Sequence, residues 1–394
     1  MNAAEANGLL EAAERLVADG QRLRTALEWE FLSKQITEVI DGDYDLGRVT
    51  RVEQILGGFV NLSFAVWTED AAGAHKFFVR KYNKAIREHE VRFEHALVNH
   101  VVERGLHIAA KVHADRAGVT LAAREETALG ERAKRFFAVY DCLEGEDRYS
   151  WVNNRLTDKE YAGAARVLAR FHHCGSDFEP GTLRREQPPI MELVPTLAPA
   201  FEAFARRAAG TAFDEYFLAK LPQIREVIAR GGAIASELAG LPFIPVHCDY
   251  HAGNLKYAGE ADIVGLFDFD WSKLDYRVFD LGLALSYFCD SWEGADAGEL
   301  RLGKVELFLA AYQEESARWG DPGPLAAREL ALLPRMIANG NLFVLNWDLA
   351  DYYGDREPNV QEYLVYLKHN AMVLEFIEGH FDELTTLCSR AARR

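Results

Sequence analysis

The sequence predicts an α+β fold in which a small antiparallel β lobe precedes a larger α-helical lobe. The chain has 394 residues, more than one hydrophobic core usually supports, so two lobes are expected. Strand-like runs follow one another closely between residues 49 and 82, whereas helical spacing of apolar residues dominates after residue 145. The hydrophobic fraction of 49% and the charged fraction of 27% are those of an ordinary globular protein.

Residues 1–45 predict a helical extension, because alanine, glutamate and leucine are frequent there and helix breakers are few. The β lobe is predicted over residues 46–142. Its runs VTRVEQIL, LSFAVWTE and KFFVRKY have strand-like composition and are separated by turn residues, which predicts an antiparallel meander. A helix that ends at Gly105 follows, and further strands are predicted near residues 118–124 and 135–140.

The α-helical lobe is predicted over residues 143–394. One of its helices is expected to begin after Thr157, because Glu160 stands three residues later and completes a capping box. The loop-like stretch EPGTLRREQPPI then precedes a helical insertion at about residues 190–240. The C-terminal part of the chain also has helical spacing of its apolar residues.

The net charge of −17 argues against nucleic acid as a partner, because phosphate backbones bind basic surfaces. No apolar run reaches the ~20 residues of a membrane span, so no membrane association is expected. The five cysteines are scattered without a C-x-x-C pair, which predicts reduced thiols. Together with an acidic N-terminus that lacks a signal-peptide pattern, these features favour a cytoplasmic protein.

The stretch PVHCDYHAGNLKY concentrates four side chains that can bind a metal or transfer a proton: His247, Asp249, His251 and Asn254. Two β-like runs, at residues 254–257 and 262–269, flank a turn-like AGEA. Two short strands separated by such a turn predict a β-hairpin. The stretch therefore leads directly into a hairpin.

The predicted hairpin pairs Tyr257 with Asp262, which places Asp268 just beyond the residue opposite Asn254. A strand rises about 3.3 Å per residue, so these positions and the preceding loop can meet within roughly 10 Å. We therefore expect Asp249, Asn254 and Asp268 to converge.

This convergence suits phosphoryl transfer, a reaction that depends on positioning and on charge neutralisation. Mg²⁺ prefers carboxylate and amide oxygens to imidazole, so Asn254 and Asp268 suit it as ligands. Asp249 would then orient the attacking hydroxyl and accept its proton. The same segment also permits a metallohydrolase built on His247, Asp249 and His251, and this alternative stays open on the residues alone.

The order H-x-D-x-x-x-x-N, followed by a strand that ends in D-F-D, resembles the kinase-like phosphotransferases. That family includes aminoglycoside phosphotransferases, homoserine kinase of the second type and choline kinase-like enzymes. The resemblance implies a two-lobed protein-kinase-like fold with an ATP cleft between the lobes. It also implies Mg²⁺ and a small-molecule hydroxyl acceptor such as an amino sugar, an amino alcohol or a homoserine-like metabolite.

The resemblance assigns roles to the residues of the motif. Asp249 takes the position of the catalytic base, and Asn254 and Asp268 take those of the metal ligands. His247 and Asp270 are expected to support this loop. Asp280 matches an acid that follows the metal loop, for which we expect a helix cap or a loop brace.

Parts of the β lobe resemble the nucleotide-binding elements of the same family. The run LGGFVNLSFAV resembles the nucleotide loop, in which Gly57 and Gly58 would allow phosphates to approach the backbone and Asn61 would stabilise the turn. The run VYDCLEGE resembles the hinge. There the carbonyl of Asp141 and the amide of Leu143 would meet the purine.

The resemblance further implies a cation on a strand paired with a glutamate on the following helix. Arg80 stands where the family has lysine, and arginine can bind phosphate through two parallel hydrogen bonds. Period-two alternation instead favours Lys81 as inward-facing, because Lys81 shares a strand face with Val79. Glu94 is the matching glutamate, since it lies on the apolar face of its helix and needs a partner there.

The acceptor side is less defined by the sequence. Acidic and aromatic residues gather in NWDLADYYGDREPN and around Trp271, and could bind an amine or form a solvated helix end. A nucleotide-binding protein without catalytic activity is a further alternative. Asp249, Asn254 and Asp268 together argue against it, whereas arginine in place of the family's lysine at Arg80 leaves room for it.

Overall fold

The computed structural model describes residues 27–56, 61–128, 131–355 and 357–391. Within these residues the chain divides into two compact units. The first contains the described residues up to Glu88 together with Lys111–Cys142, and the second contains His89–Ala110 and the described residues from Leu143 onwards. A five-stranded antiparallel sheet in one unit and mainly helices in the other confirm the predicted α+β class.

The first unit is an antiparallel sheet with the strand order β1-β2-β3-β5-β4. Its strands are β1 (Arg48–Ile55), β2 (Leu62–Asp70), β3 (Gly73–Lys81), β4 (Ala122–Ala128) and β5 (Glu131–Asp141). The first three form the predicted meander, with each strand paired to the next. β5 then pairs with β3, so the sheet continues past the meander.

A helix, α1, covers residues 27–43 of the described part and packs on this sheet. Its apolar side chains join one buried cluster with those of the strands; the cluster includes Ile36, Val39, Ile40, Tyr44, Phe64, Val66, Val79, Phe137 and Val139. Each of these side chains is at most 1% exposed. The described part of the predicted N-terminal helical region therefore completes the core of the first unit.

The second unit is mainly helical. Its helices are α2 (Glu88–Glu103, from its second residue), α3 (Asp158–Gly175), α4 (Ile190–Ala205), α5 (Ala212–Gly232), α6 (Arg277–Cys289), α7 (Leu302–Ser316), α8 (Ala327–Gly354), α9 (Val360–Gly379) and α10 (Phe381–Ala391). Two small antiparallel sheets pair β6 (Phe243–Val246) with β9 (Lys273–Tyr276) and β7 (Leu255–Ala258) with β8 (Asp262–Leu266). No helix in the described residues combines the length and the apolarity that a bilayer crossing requires.

The start of α3 follows from its local sequence. The Thr157 side chain accepts the backbone N–H of Glu160, and the Glu160 carboxylate accepts the backbone N–H of Thr157. This is the predicted capping box, which satisfies backbone donors that the first helical turn leaves without partners.

The predicted register of the β7–β8 hairpin is wrong. Tyr257 pairs with Ile263 instead of Asp262, and Lys256 pairs with Gly265. Val264 is therefore an extra residue, a β-bulge that strict alternation along the strands cannot reveal. The backbone of Tyr257 is also bonded in both directions to Glu146, which lies far away in the sequence and fixes β7 from its other edge.

A fully buried ion pair joins the first turns of α6 and α8. The Arg277 guanidinium donates to both carboxylate oxygens of Glu329 at 2.7 Å, and both residues are 1% exposed. Arg277 also donates to the carbonyl of Gly323 at 2.6 Å. Removing one partner would leave the other charge buried and uncompensated, which is costlier than losing an exposed pair.

We predict that Arg277→Gln lowers the free energy of unfolding by about 3–5 kcal/mol, because Glu329 is left as an unpaired buried charge. Denaturant unfolding at pH 7 measures the change. The matched control is Lys159→Gln, which breaks the exposed Lys159–Glu260 pair and should leave stability unaltered. Equal effects of the two substitutions would contradict the assignment.

Candidate active site

The loop that contains Asp249 begins where β6 ends, and its backbone is held by Asp280 in the first turn of α6. The two carboxylate oxygens of Asp280 accept the backbone N–H groups of His247 and Cys248, each at 2.9 Å. Cys248 has a positive φ of 63°, a conformation that costs a non-glycine residue free energy unless its surroundings enforce it. Asp280 is fully buried and therefore fixes the turn that presents Asp249.

Asp280 is itself anchored. The Nε2 atom of His172 on α3 lies 3.0 Å from the Asp280 carboxylate, and the Nδ1 atom lies 2.7 Å from the Tyr312 hydroxyl on α7. Burial raises the pKa of Asp280, but the hydrogen bond and charge of His172 and the backbone N–H of His247 outweigh burial and lower it. The expected loop-bracing role of Asp280 is therefore what its contacts show.

The Asp249 carboxylate is held from several sides. The Asn254 amide donates to the Asp249 backbone carbonyl at 2.8 Å and to its carboxylate at 3.0 Å. His251 Nε2 lies 3.6 Å from the same carboxylate. Burial raises the pKa of Asp249, but His251, His247 and Asn254 more than offset burial, and the pKa is lowered. Asp249 is thus an ionised acceptor whose side chain is 22% exposed.

Asn254 and Asp268 present the oxygen donors of a hard cation. Because the Asn254 amide nitrogen is bonded to Asp249, the Oδ1 atom is the group left for a ligand. The Asn254 carbonyl accepts the backbone N–H of Phe267 at 3.2 Å, which brings the neighbouring Asp268 beside it. Asp268 has φ 66° and ψ 60° and begins a 3-10 turn over Phe269–Trp271. An amide oxygen and a carboxylate fit Mg²⁺.

The imidazole of His247 lies among the carboxylates of this loop. Asp280, Asp249 and Asp268 all favour its charged form, but burial opposes it more strongly and lowers the pKa of His247. The Nε2 atom lies 3.2 Å from the carbonyl of Phe267, so His247 ties the Asp249 loop to the strand end before Asp268. The supporting role of His247 at the active site stays a prediction.

The histidines do not form a metal cage. His251 Nδ1 accepts the backbone N–H of Gly253 at 3.0 Å, and the His247 ring packs 4.8 Å from that of Phe269. In the part of the chain that the structure describes, no three His, Cys, Asp or Glu side chains are grouped as a metal would require. The donors actually presented are oxygens, which disfavours the metallohydrolase alternative.

In the first unit, Lys81 has a structural role. It lies on the face of β3 that packs on α1, donates to Gln35 of that helix at 2.9 Å and forms a buried ion pair with Glu126 on β4. Burial lowers the pKa of Lys81, and the bond to Glu126 partly offsets this. Its charge is therefore already engaged on the inner face of the sheet.

Arg80 lies on the opposite face of the sheet, next to Phe78. Its guanidinium is 5.6 Å from the Phe78 ring centroid and 5.8 Å from that of Tyr140. Arginine stacks on aromatic rings and presents its donors in one plane, a geometry that suits bidentate phosphate binding. The choice of Arg80 over Lys81 as the phosphate-binding cation stays a prediction.

The other predicted nucleotide residues are distributed as follows. Gly57 and Gly58 lie outside the described residues. Asn61 is buried and accepts the backbone N–H of Asn83 at 2.8 Å, which joins the two ends of the β2–β3 hairpin. Asp141 is the last residue of β5, and Leu143 is the residue at which the chain re-enters the second unit. The predicted hinge therefore lies where the chain passes from the first unit to the second.

Glu94 is 1% exposed on α2 and shares its buried face with Val91, Leu97, Val98 and Val101. Its location on the apolar face is the one that helical spacing predicts. The nucleotide-related role of Glu94 remains a prediction.

Two polar residues, Tyr287 and Asp348, were not predicted as site residues. Burial raises the pKa of Tyr287 on α6, and the charges of Asp249, Asp348 and Asp290 raise it further. Asp348 on α8 accepts the Asn370 amide at 2.6 Å, and burial raises the pKa of Asp348 to about 8. Asp348 belongs to the acidic and aromatic segment NWDLADYYGDREPN. That segment was the signal by which the sequence could have identified Asp348.

Comparisons with known proteins agree with this geometry. The model of the phosphotransferase enzyme family matches residues 51–330. A homoserine kinase of Methylobacterium nodulans is 28% identical over 311 residues, covering 79% of this chain and 83% of that protein. A homoserine kinase of Polaromonas naphthalenivorans is 26% identical over 346 residues, covering 86% and 90%.

Solved structures show the same fold. A microcompartment-associated aminopropanol kinase superposes with a TM-score of 0.64 at 15% identity, covering 90% of this chain and 98% of that one. A spectinomycin phosphotransferase in complex with ADP and spectinomycin superposes with a TM-score of 0.58 at 14% identity, covering 88% and 98%. These likenesses confirm the protein-kinase-like fold that the motif order implied.

We predict that Asp280→Asn lowers the free energy of unfolding at pH 7 by about 1–3 kcal/mol, because an amide NH₂ then faces a backbone N–H that needs an acceptor. The folded-state pKa of Asp280 lies below its unfolded value, so its stabilisation is present above about pH 4. It is lost as the pH falls further, and the difference between variant and wild type should shrink there. Denaturant titrations across this range measure both effects.

The exposed Asp262 provides the control, since Asp262→Asn should alter neither stability nor its pH dependence. An Asp280→Asn protein as stable as wild type at pH 7 would show that the two hydrogen bonds accepted by Asp280 contribute little to the free energy of unfolding.

Proposed function

From the premise that this chain belongs to the phosphotransferase enzyme family and is a small-molecule kinase, we propose that it transfers the γ-phosphoryl group of Mg²⁺·ATP to a hydroxyl group of an amine-bearing small molecule. The observation that carries the proposal is the bond from the Asn254 amide to the Asp249 carboxylate. Because the Asn254 nitrogen donates to the ionised Asp249 carboxylate, the Asn254 Oδ1 atom remains for another ligand. This contact supports Asp249 as the base and Asn254 as a metal ligand.

Asp249 is the proposed catalytic base. Its carboxylate would accept a hydrogen bond from the acceptor hydroxyl and direct the oxygen lone pair towards the γ-phosphorus. As the new O–P bond forms and the bond to ADP breaks, the hydroxyl proton passes to Asp249. Its lowered pKa keeps it ionised at neutral pH, and the Asn254 amide orients it.

Asn254 Oδ1 and the Asp268 carboxylate would hold the proposed Mg²⁺. The cation would neutralise phosphate charge and bring the phosphoryl group into line with the acceptor. The left-handed backbone of Asp268 and the bond between Asn254 and Phe267 fix these two donors before any ligand binds.

The proposal assigns nucleotide binding to the residues that match the family's motifs. Arg80 would bind phosphate oxygens, with Glu94 as its proposed partner and with Gly57, Gly58 and Asn61 at the nucleotide loop. The backbone of Asp141 and Leu143 would meet the purine edge. The proposal also places the reaction in the cytoplasm, where ATP is available.

The acceptor is proposed to be a homoserine-like amino acid or amino alcohol. Relatives matched over most of their length are named homoserine kinases. In this chain, Asp348 and Asp351 lie on α8 beside Trp347, whose ring is 4.6 Å from that of Trp271 in the metal loop. Burial raises the pKa of Asp348 to about 8, and a bound ammonium group would favour its ionised form while the aromatic rings contact the same cation.

We predict acceptor-dependent release of ADP when the purified protein receives Mg²⁺·ATP and homoserine or a related amino alcohol. Activity should fall when the amine of the best acceptor is acetylated, because the ammonium charge is lost. A coupled ADP assay, with ³¹P NMR of the product, measures both. Turnover that is indifferent to acetylation would contradict an amine-binding acceptor site.

We predict that Asp249→Asn lowers kcat by about 10²–10⁴-fold, the usual contribution of a positioned general base. Binding of Mg²⁺·ATP should persist, since Asn254 and Asp268 are retained. Single-turnover kinetics and nucleotide titration separate the two effects. His251→Asn is the control within the same loop, and its loss should be smaller. Near-normal turnover by Asp249→Asn would rule out the base assignment.

A further inference from the structure

The segment Asp177–Ile190, here called the strap, joins α3 to α4 and runs antiparallel along α2. Near the C-terminal end of α2, Asp177 accepts from His100 Nε2 at 3.0 Å and from Arg104 Nε at 3.1 Å. Near the N-terminal end of α2, Glu186 pairs with His89 at 3.0 Å. The strap is therefore fastened to both ends of the helix that contains Glu94.

The other edge of the strap is fastened to β9, which follows the metal loop. The Lys273 ammonium donates to the carbonyl of Pro188 at 2.6 Å, and the Asp275 carboxylate accepts the backbone N–H of Ile190 at 2.7 Å. Lys273 and Asp275 form a buried pair at 2.9 Å, and neither side chain is more than 2% exposed. Contacts so completely buried resist rearrangement, so this end of the strap is rigid.

Arg185 connects these two attachments. Its side chain is 8% exposed, and its guanidinium donates to the backbone carbonyl of Asp270 in the metal loop. The same guanidinium donates to the Glu90 carbonyl at 3.3 Å and lies 3.8 Å from the Glu90 carboxylate. One planar cation thus contacts α2 on one side and the metal loop on the other.

The metal loop needs such support. Asp268 adopts a left-handed conformation, which is disfavoured for residues other than glycine. Such a conformation persists when several contacts around it hold the backbone in place. The Asp270 carbonyl, to which Arg185 donates, lies only two residues further along the chain. Holding that carbonyl limits how the turn between Asp268 and Trp271 can relax.

We infer that Arg185 is a positioning residue that holds the metal loop, and with it Asp268, in a fixed relation to α2. The inference rests on the proposed function, because it concerns the metal ligand assigned there. Lysine cannot replace Arg185, since a single ammonium group cannot span the Asp270 carbonyl and the two acceptors of Glu90 as a guanidinium does. Arg185 acts through Asp268 and is not itself a catalytic residue.

The test measures Mn²⁺ binding in the presence of a non-hydrolysable ATP analogue by electron paramagnetic resonance. We expect Arg185→Lys and Arg185→Gln to weaken Mn²⁺ binding by about tenfold or more, the effect typical of residues that orient metal ligands. The matched control is Arg104→Gln, which removes one of the two contacts between the strap and the C-terminal end of α2, that with Asp177, and leaves the contacts of the metal loop intact. Arg104→Gln should leave Mn²⁺ binding unaltered.

A second readout uses the protein without metal or nucleotide. Hydrogen exchange at the Ser272 amide, which closes the 3-10 turn by bonding to the Phe269 carbonyl at 2.9 Å, should accelerate in Arg185→Lys and not in Arg104→Gln. In activity assays, Arg185→Lys should lower kcat and raise the metal requirement while the KM for the acceptor stays constant. A general loss of folding would accelerate exchange throughout α3 and α6 as well.

The outcomes are separable. If the wild-type protein binds no Mn²⁺ with the nucleotide analogue, the proposed function fails. If the wild type binds but Arg185→Lys binds equally well with unaltered exchange at Ser272, the inference about Arg185 is overturned. Should Arg185→Gln not fold, the milder Arg185→Lys decides alone.

Discussion

The second unit depends most on one buried carboxylate, that of Asp280. By accepting two consecutive backbone N–H groups, it holds the left-handed turn at Cys248 and so determines where Asp249 points. Through His172 it links this turn to α3 and, by way of the Tyr312 hydroxyl, to α7. Removing Asp280 would leave two buried donors without acceptors at the point where the base is positioned.

The charges of the Asp249 loop fit the divalent cation proposed for it. Burial opposes ionisation of Asp249 and Asp280, but their hydrogen-bonding and charged neighbours outweigh burial, so the pKa values of both are lowered and both are ionised at neutral pH. Burial lowers the pKa of His247, whose ring is then neutral at that pH. A cation held by Asn254 and Asp268 would add positive charge beside these carboxylates while it binds phosphate.

Sequence reasoning predicted what local signals encode: the capping box of Thr157, the meander of the first unit, and the order of Asp249, Asn254 and Asp268. It failed where the local structure depends on contacts between segments that are far apart in the sequence. The bulge at Val264 depends on a partner strand, and the roles of Lys81 and Arg185 depend on contacts 45 to 95 residues away in the sequence. Alternation along β3 alone could not show that the ammonium group of the inward-facing Lys81 donates to Gln35 and Glu126.

The most direct test of the account is thermal unfolding of the wild-type protein and of Asp268→Ala with ATP plus Mg²⁺, with ATP plus a chelator, and with Zn²⁺ alone. A ligand at about one hundred times its Kd stabilises the folded state by ~2.7 kcal/mol, enough to raise Tm by a few degrees. If this protein is a Mg²⁺-dependent kinase with Asp268 as a metal ligand, ATP should raise Tm only when Mg²⁺ is present, and this rise should disappear in Asp268→Ala. A Tm that rises with Zn²⁺ alone and not with Mg²⁺·ATP would contradict this function.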